Sequence, residues 1–67
     1  MQAFDKYGLS NREKQAAYGW LMNYSALRIA NEMGITEGTV RNLIKRIYAK
    51  TKISDKGQFI TTFVHLK

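Results

Sequence analysis

Between Val40 and Ile47 the apolar positions Val40, Ile44 and Ile47 recur every three or four residues, with Arg41, Asn42, Lys45 and Arg46 set between them. That interval is the repeat of one face of an α-helix, so the segment predicts an amphipathic helix with a buried stripe and a cationic outer side. Leu43 lies at the edge of this stripe. Three more segments carry the same period: Ala16, Ala17, Trp20 and Leu21; Leu27, Ile29, Ala30 and Met33; and Phe59, Ile60, Phe63, Val64 and Leu66.

Start and stop signals bracket each segment. Ser10-Asn11-Arg12-Glu13 has the form of a capping box, in which the serine hydroxyl accepts from the Glu13 amide and the glutamate accepts from the Ser10 amide. The first helix is expected to end near Met22-Asn23, since asparagine tolerates a left-handed turn. Gly19 within it is a propensity cost that close helix packing would justify. Ser25 caps a second helix over 26–33 with Gly34 just past its end. Ile35 fills the turn, and Thr36 caps a third helix running to about Lys50, with Glu37 in the first turn beside the positive helix end. Asp55 and Gln58 form another box and open a fourth helix that continues through Leu66. Residues 1–8 read as a lead-in, with Phe4 and Tyr7 near the core, and residues 9–67 as one domain. No proline interrupts any helix. The fold class expected is all-α, a four-helix bundle-like domain containing a helix-turn-helix.

The turn between the second and third helices carries the most information. Ala30 is small where two helix backbones must approach, Gly34 stands four residues later where positive φ is needed, Ile35 plugs the space beneath, and Val40 begins the stripe of the next helix. A lone glycine would mean little, but these positions together set a helix-turn-helix apart from an unrelated helical hairpin.

Composition narrows the function classes. At 67 residues, one small domain burying roughly 60% of its extended-chain surface is all the chain can form. There is no cysteine and only His65, which leaves no disulfide frame, no metal cluster and no cofactor site. The apolar runs are too short for a membrane span or a signal peptide, so the chain is expected to be soluble and cytoplasmic. With no glycine-rich phosphate loop and only Glu32 and Glu37 as a carboxylate pair near the turn, an enzyme finds little support.

Charge narrows the partner. Eleven Lys and Arg oppose five Asp and Glu for a net +6, and residues 41–56 hold Arg41, Lys45, Arg46, Lys50, Lys52 and Lys56 against Asp55 alone. A local cationic field of this kind favours a polyanion, nucleic acid first and an anionic membrane surface second. A basic stretch is as often only a solvated helix face, so the turn has to decide between them. On the third helix Arg41, Asn42, Lys45 and Ala49 fall on the outer face, with Arg46 at its border. Arg and Lys can donate to guanine O6 and N7, and Asn can make a paired contact with adenine. Base-edge contacts are therefore preferred for Arg41, Asn42 and Lys45 over phosphate contact or solvation. Phosphate contacts are assigned to Arg46 and Lys50, with solvation or a distant field effect an equal reading for Lys50, Lys52 and Lys56.

These residues also carry a resemblance. Leu9-Ser-Asn-Arg-Glu13, Ile29-Ala30 before the turn, and Gly34-Ile-Thr-Glu-Gly-Thr-Val-Arg-Asn42 resemble the four-helix DNA-binding domain of the LuxR-type (GerE-like) bacterial transcription regulators over residues 9–66. The resemblance implies that the third helix enters the major groove, that Arg41, Asn42 and Lys45 meet bases, that Ser25 and Thr39 meet phosphates, and that the fourth helix is a dimer seam. It further implies an inverted-repeat site, a homodimer on DNA, and contact with RNA polymerase. Within the fourth helix, Ile60 and Val64 are the residues chosen for the seam, because the two phenylalanines better suit the core. Three positions depart from the family pattern: Asn11 stands where proline is common, Arg28 where glutamate is usual and Leu43 where histidine is usual. Arg28 becomes a further phosphate candidate; Leu43 either touches a thymine methyl or joins the core. The alternative reading is a protein-interaction adaptor or inhibitor that keeps the fold without binding DNA, in which the outer face of the third helix would be apolar or acidic.

Overall fold

The computed structural model describes residues 6–64, the side chain of Val64 excepted. It contains four helices: α1 (Asn11–Leu21), α2 (Ala26–Met33), α3 (Glu37–Thr51) and α4 (Lys56–Val64). Each begins on the side chain expected to cap it. Ser10 Oγ accepts from the Glu13 amide at 3.2 Å while Glu13 Oε1 accepts from the Ser10 amide at 2.8 Å, completing the box. Ser25 accepts from the Arg28 amide at 3.1 Å, Thr36 from Thr39 at 3.2 Å, and Asp55 from Gln58 at 2.8 Å. These bonds satisfy amides that have no intrahelical partner. The helix stops follow the same logic. Asn23 adopts φ 66° after α1 and Gly34 adopts φ 70° after α2, both left-handed as expected. Lys52 ends α3 in the same conformation at φ 60°, a role no residue preference pointed to.

α3 is the centre of the domain and packs on both α1 and α2, while α4 lies against α1. The core runs through Ala16, Ala17, Ile29, Ala30, Val40, Ile44, Ile47, Phe59 and Phe63, all buried. Leu43 joins it and is no thymine contact: it is 5% exposed. Leu9 and Ile53, just outside helices α1 and α3, are buried in the same core. Gly19 is a true close-approach position, because a Cβ there would stand 2.9 Å from Ile29 Cγ1. Tyr7 packs edge-on against Phe63, with ring centroids 5.5 Å apart, so the lead-in touches the core as expected.

One apolar assignment is corrected. Leu27 was expected in the buried set of α2, yet it is 55% exposed. A helix of eight residues presents little more than two turns to its neighbours, and Ala26, Ile29 and Ala30 already fill that contact. On α4 Phe59 and Phe63 are buried, as expected of core residues, and Ile60 is half-buried. Phe4, His65 and Leu66, and the side chain of Val64, lie outside the described residues.

Three polar ties cross the fold. Glu13 is 3% exposed and receives Lys50 Nζ at 2.8 Å, while the same ammonium donates to the Gly8 carbonyl at 3.1 Å. Desolvation raises the Glu13 carboxyl, but the bond from Lys50, the Ser10 amide and the Lys50 charge outweigh it and hold the group below its ordinary value. At the opposite end of α1, Trp20 Nε1 donates to the Tyr48 hydroxyl at 2.7 Å. Lys56 Nζ lies 4.0 Å from the Trp20 ring centroid and donates to the Tyr24 carbonyl at 3.1 Å. Burial pushes the Lys56 ammonium below its ordinary value.

Candidate nucleic-acid interface

The geometry of the turn aims the outer face of α3. With Gly34 left-handed and its amide bonded to the Ala30 carbonyl, α2 stops and the chain re-enters helix within three residues. Thr36 and Thr39 lock the first turn through a hydroxyl contact of 2.9 Å besides the cap bond. At about 3.6 residues per turn, Asn42, Lys45, Arg46 and Ala49 form one stripe opposite Val40, Ile44 and Ile47, with Arg41 and Lys50 on its two margins. Asn42, Lys45, Arg46 and Ala49 line a shallow depression and all four are exposed. Their polar side chains make no hydrogen bond or ion pair among the described residues. A larger concavity lined by Tyr18, Gly19, Tyr24, Ile29 and Met33 is built from α1, α2 and their connection, and takes no residue from α3.

The margins differ from the centre. Arg41 Nη2 lies 2.7 Å from Glu37 Oε2, both side chains well exposed. Arg28 stacks its guanidinium 3.8 Å above the Tyr24 ring centroid and donates from Nε to Glu32 at 3.2 Å. Exposed pairs one helical turn apart add only about 0.3–0.5 kcal/mol, so either arginine can be drawn away by a stronger anion. Ser25 and Thr39 are exposed at the starts of α2 and α3. Lys50 is in a different position, because its ammonium is already held by the buried Glu13 and the Gly8 carbonyl. Two of the six cations between 41 and 56, Lys50 and Lys56, are thus tied into the fold. Sequence reasoning had no signal for either tie, since the partners stand 37 and 32 residues away along the chain. The outer face of α3 is nevertheless cationic and polar throughout, without an exposed apolar or acidic stripe.

Among known protein families, residues 7–63 match the one described as bacterial regulatory proteins, luxR family. The chain belongs to the LuxR family. The resemblance drawn from Leu9–Glu13, Ile29-Ala30 and the Gly34–Asn42 turn therefore holds, and with it the character of a helix-turn-helix, DNA-binding domain of a transcription regulator. No curated protein and no solved structure matches the chain. For this LuxR-family domain, no described helix is long and apolar enough to cross a membrane, and no described group of acidic or histidine side chains could hold a metal ion.

Proposed function

We propose that the domain binds double-stranded DNA sequence-specifically by laying α3 in the major groove, with Arg41, Asn42 and Lys45 on base edges. The observation that carries this is the α3 stripe itself: Asn42, Lys45 and Arg46 are exposed, lack partners among the described residues, and are fixed in direction by a helix whose other side is the core. Side chains on a rigid helix lose little orientational freedom on binding, which suits base readout. Ser25, Arg28, Thr39 and Arg46 are assigned to the phosphates on either side. Lys50 takes part only as far as it can leave Glu13, a point that the first prediction below tests.

Assembly follows as a second part of the proposal. α4 is assigned to a homodimer seam through Ile60 and Val64, supported by the half-burial of Ile60 while Phe59 and Phe63 are committed to the core. A two-fold dimer matches an inverted repeat with half-sites about one helical turn apart.

Selection from random duplexes, followed by affinity measurements across salt concentrations, tests the reading. The expected outcome is a recurring site and a log K that falls with log salt at about −0.9 per phosphate neutralised. Arg41→Ala and Asn42→Ala should each cost roughly 1–3 kcal/mol on that site and relax one base position. Absence of binding to any duplex at low salt refutes DNA binding. Sedimentation of the saturated complex with one chain per full site refutes the dimer.

A further inference from the structure

We propose that Glu37 is a specificity-determining residue: Glu37 and Arg41 act as one donor–acceptor couple that recognises a G·C base pair, the guanidinium on the guanine and the carboxylate on the cytosine amino group. This rests on the reading above that α3 lies in the major groove.

Glu37 is the first residue of α3 and Arg41 stands one turn further on, so both project from the end of the helix that begins at the turn. Arg41 Nη2 and Glu37 Oε2 are 2.7 Å apart, and their side chains are 67% and 40% exposed. The couple therefore presents cationic donors and an anionic acceptor side by side, at hydrogen-bond separation, to whatever meets this margin. In the major groove a G·C pair shows guanine N7 and O6 as acceptors and cytosine N4 as a donor. O6 and N4 are themselves neighbours, bonded to each other within the pair. Arg41 can span N7 and O6 while the adjoining Glu37 oxygen accepts from N4, without the two side chains separating. An A·T pair with thymine under Glu37 instead sets O4 and a methyl group against the carboxylate, acceptor facing acceptor. The same negative charge repels phosphate oxygens and biases Arg41 toward the base edge rather than the backbone, where it would strengthen binding to every sequence alike.

Site selection and competition binding with the full chain, wild type against E37A, E37D and R41A, test the couple. Wild type is expected to select a G·C pair at one position, and R41A to lose it. E37A should lose about tenfold of the discrimination between G·C and A·T at that same position. It should keep the preferences at the other selected positions and bind unrelated duplex more tightly at low salt. E37D retains the charge at the helix start but is one methylene short, so it should lose the same discrimination as E37A without the gain on unrelated duplex. Circular dichroism melting of each variant verifies that it is folded at the assay temperature. Unchanged discrimination in E37A, or an equal change at all positions, overturns the proposal; so does E37D discriminating as wild type does, because charge alone would then suffice. If R41A keeps every base preference, Arg41 does not read bases and the proposal falls with that assignment. A wild type without any sequence preference overturns the major-groove reading itself.

Discussion

Lys50 stands between two readings, and replacing it with alanine separates them. Its ammonium is 2.8 Å from Glu13 Oε1, and the two side chains are 40% and 4% exposed. Removing one partner of a fully buried pair costs about 3–5 kcal/mol, whereas an exposed pair contributes about 0.2–1 kcal/mol. Lys50→Ala falls between these limits, because the stranded carboxylate is buried but its lost partner was partly solvated. The Ser10 amide still holds one oxygen of Glu13, which reduces the penalty further. We expect a loss of about 1–3 kcal/mol at neutral pH. In a domain this small each kcal/mol moves Tm by about 4–8 °C, so the melting temperature should fall by roughly 5–20 °C. The pH dependence gives a second check. The Glu13 carboxyl is held below its ordinary value of 4.5 in the folded state. Its stabilising contribution is thus fully present above that value and lost as pH falls through the lowered folded value. The gap between wild type and Lys50→Ala should be widest at neutral pH and close under acid. Thermal melts by circular dichroism at a series of pH values measure this, with salt-dependent DNA binding at a temperature where both proteins are folded. Melting coincident with wild type at neutral pH, together with a salt slope smaller by about one, would refute the structural role and make Lys50 a phosphate contact.

Gly19→Ala should destabilise the domain although alanine is favoured in a helix by about 1 kcal/mol. The new Cβ would stand 2.9 Å from Ile29 Cγ1, on a buried β-branched side chain that cannot swing aside. Overpacking of this kind costs about 1–3 kcal/mol, and a raised denaturation midpoint would show that Ile29 gives way instead. Gly34→Ala meets no atom within 4 Å, so its cost is only the left-handed backbone at φ 70°, about 1–2 kcal/mol by urea titration. Gly34→Asn should recover part of that loss, and equal losses for the two variants would argue against backbone strain as the cause. Leu27→Ser should change stability by no more than about 0.5 kcal/mol in a thermal melt. A loss several times larger would mean that Leu27 is covered after all.

The helices and their starts were legible because the interactions that define them are local. Ser10 with Glu13, Ser25 with Arg28, Thr36 with Thr39 and Asp55 with Gln58 are all pairs three residues apart, and a cap needs nothing beyond its own turn. Gly34 could be placed for the same reason, as could the core side of α3, since the helical period alone sets Val40, Ile44 and Ile47 opposite Asn42 and Lys45. Periodicity does not say how wide a stripe the neighbouring helices cover. Tertiary packing therefore decided that Leu43 lies inside and Leu27 outside, and that Leu9 and Ile53, outside any helix, join the core. It also decided the fate of the lysines. A charge count treats Lys50 and Lys56 as part of an outward field, but each has a long, flexible chain that takes whatever acceptor the fold brings within reach. The fold brings Glu13 to one, and the Tyr24 carbonyl and the Trp20 ring to the other. Those partners come from α1 and the connection after it, and no local rule relates residues more than thirty positions apart. The outer face of α3 could be drawn from the period of one helix, whereas the cations left on it without a partner among the described residues were determined only by how the four helices pack.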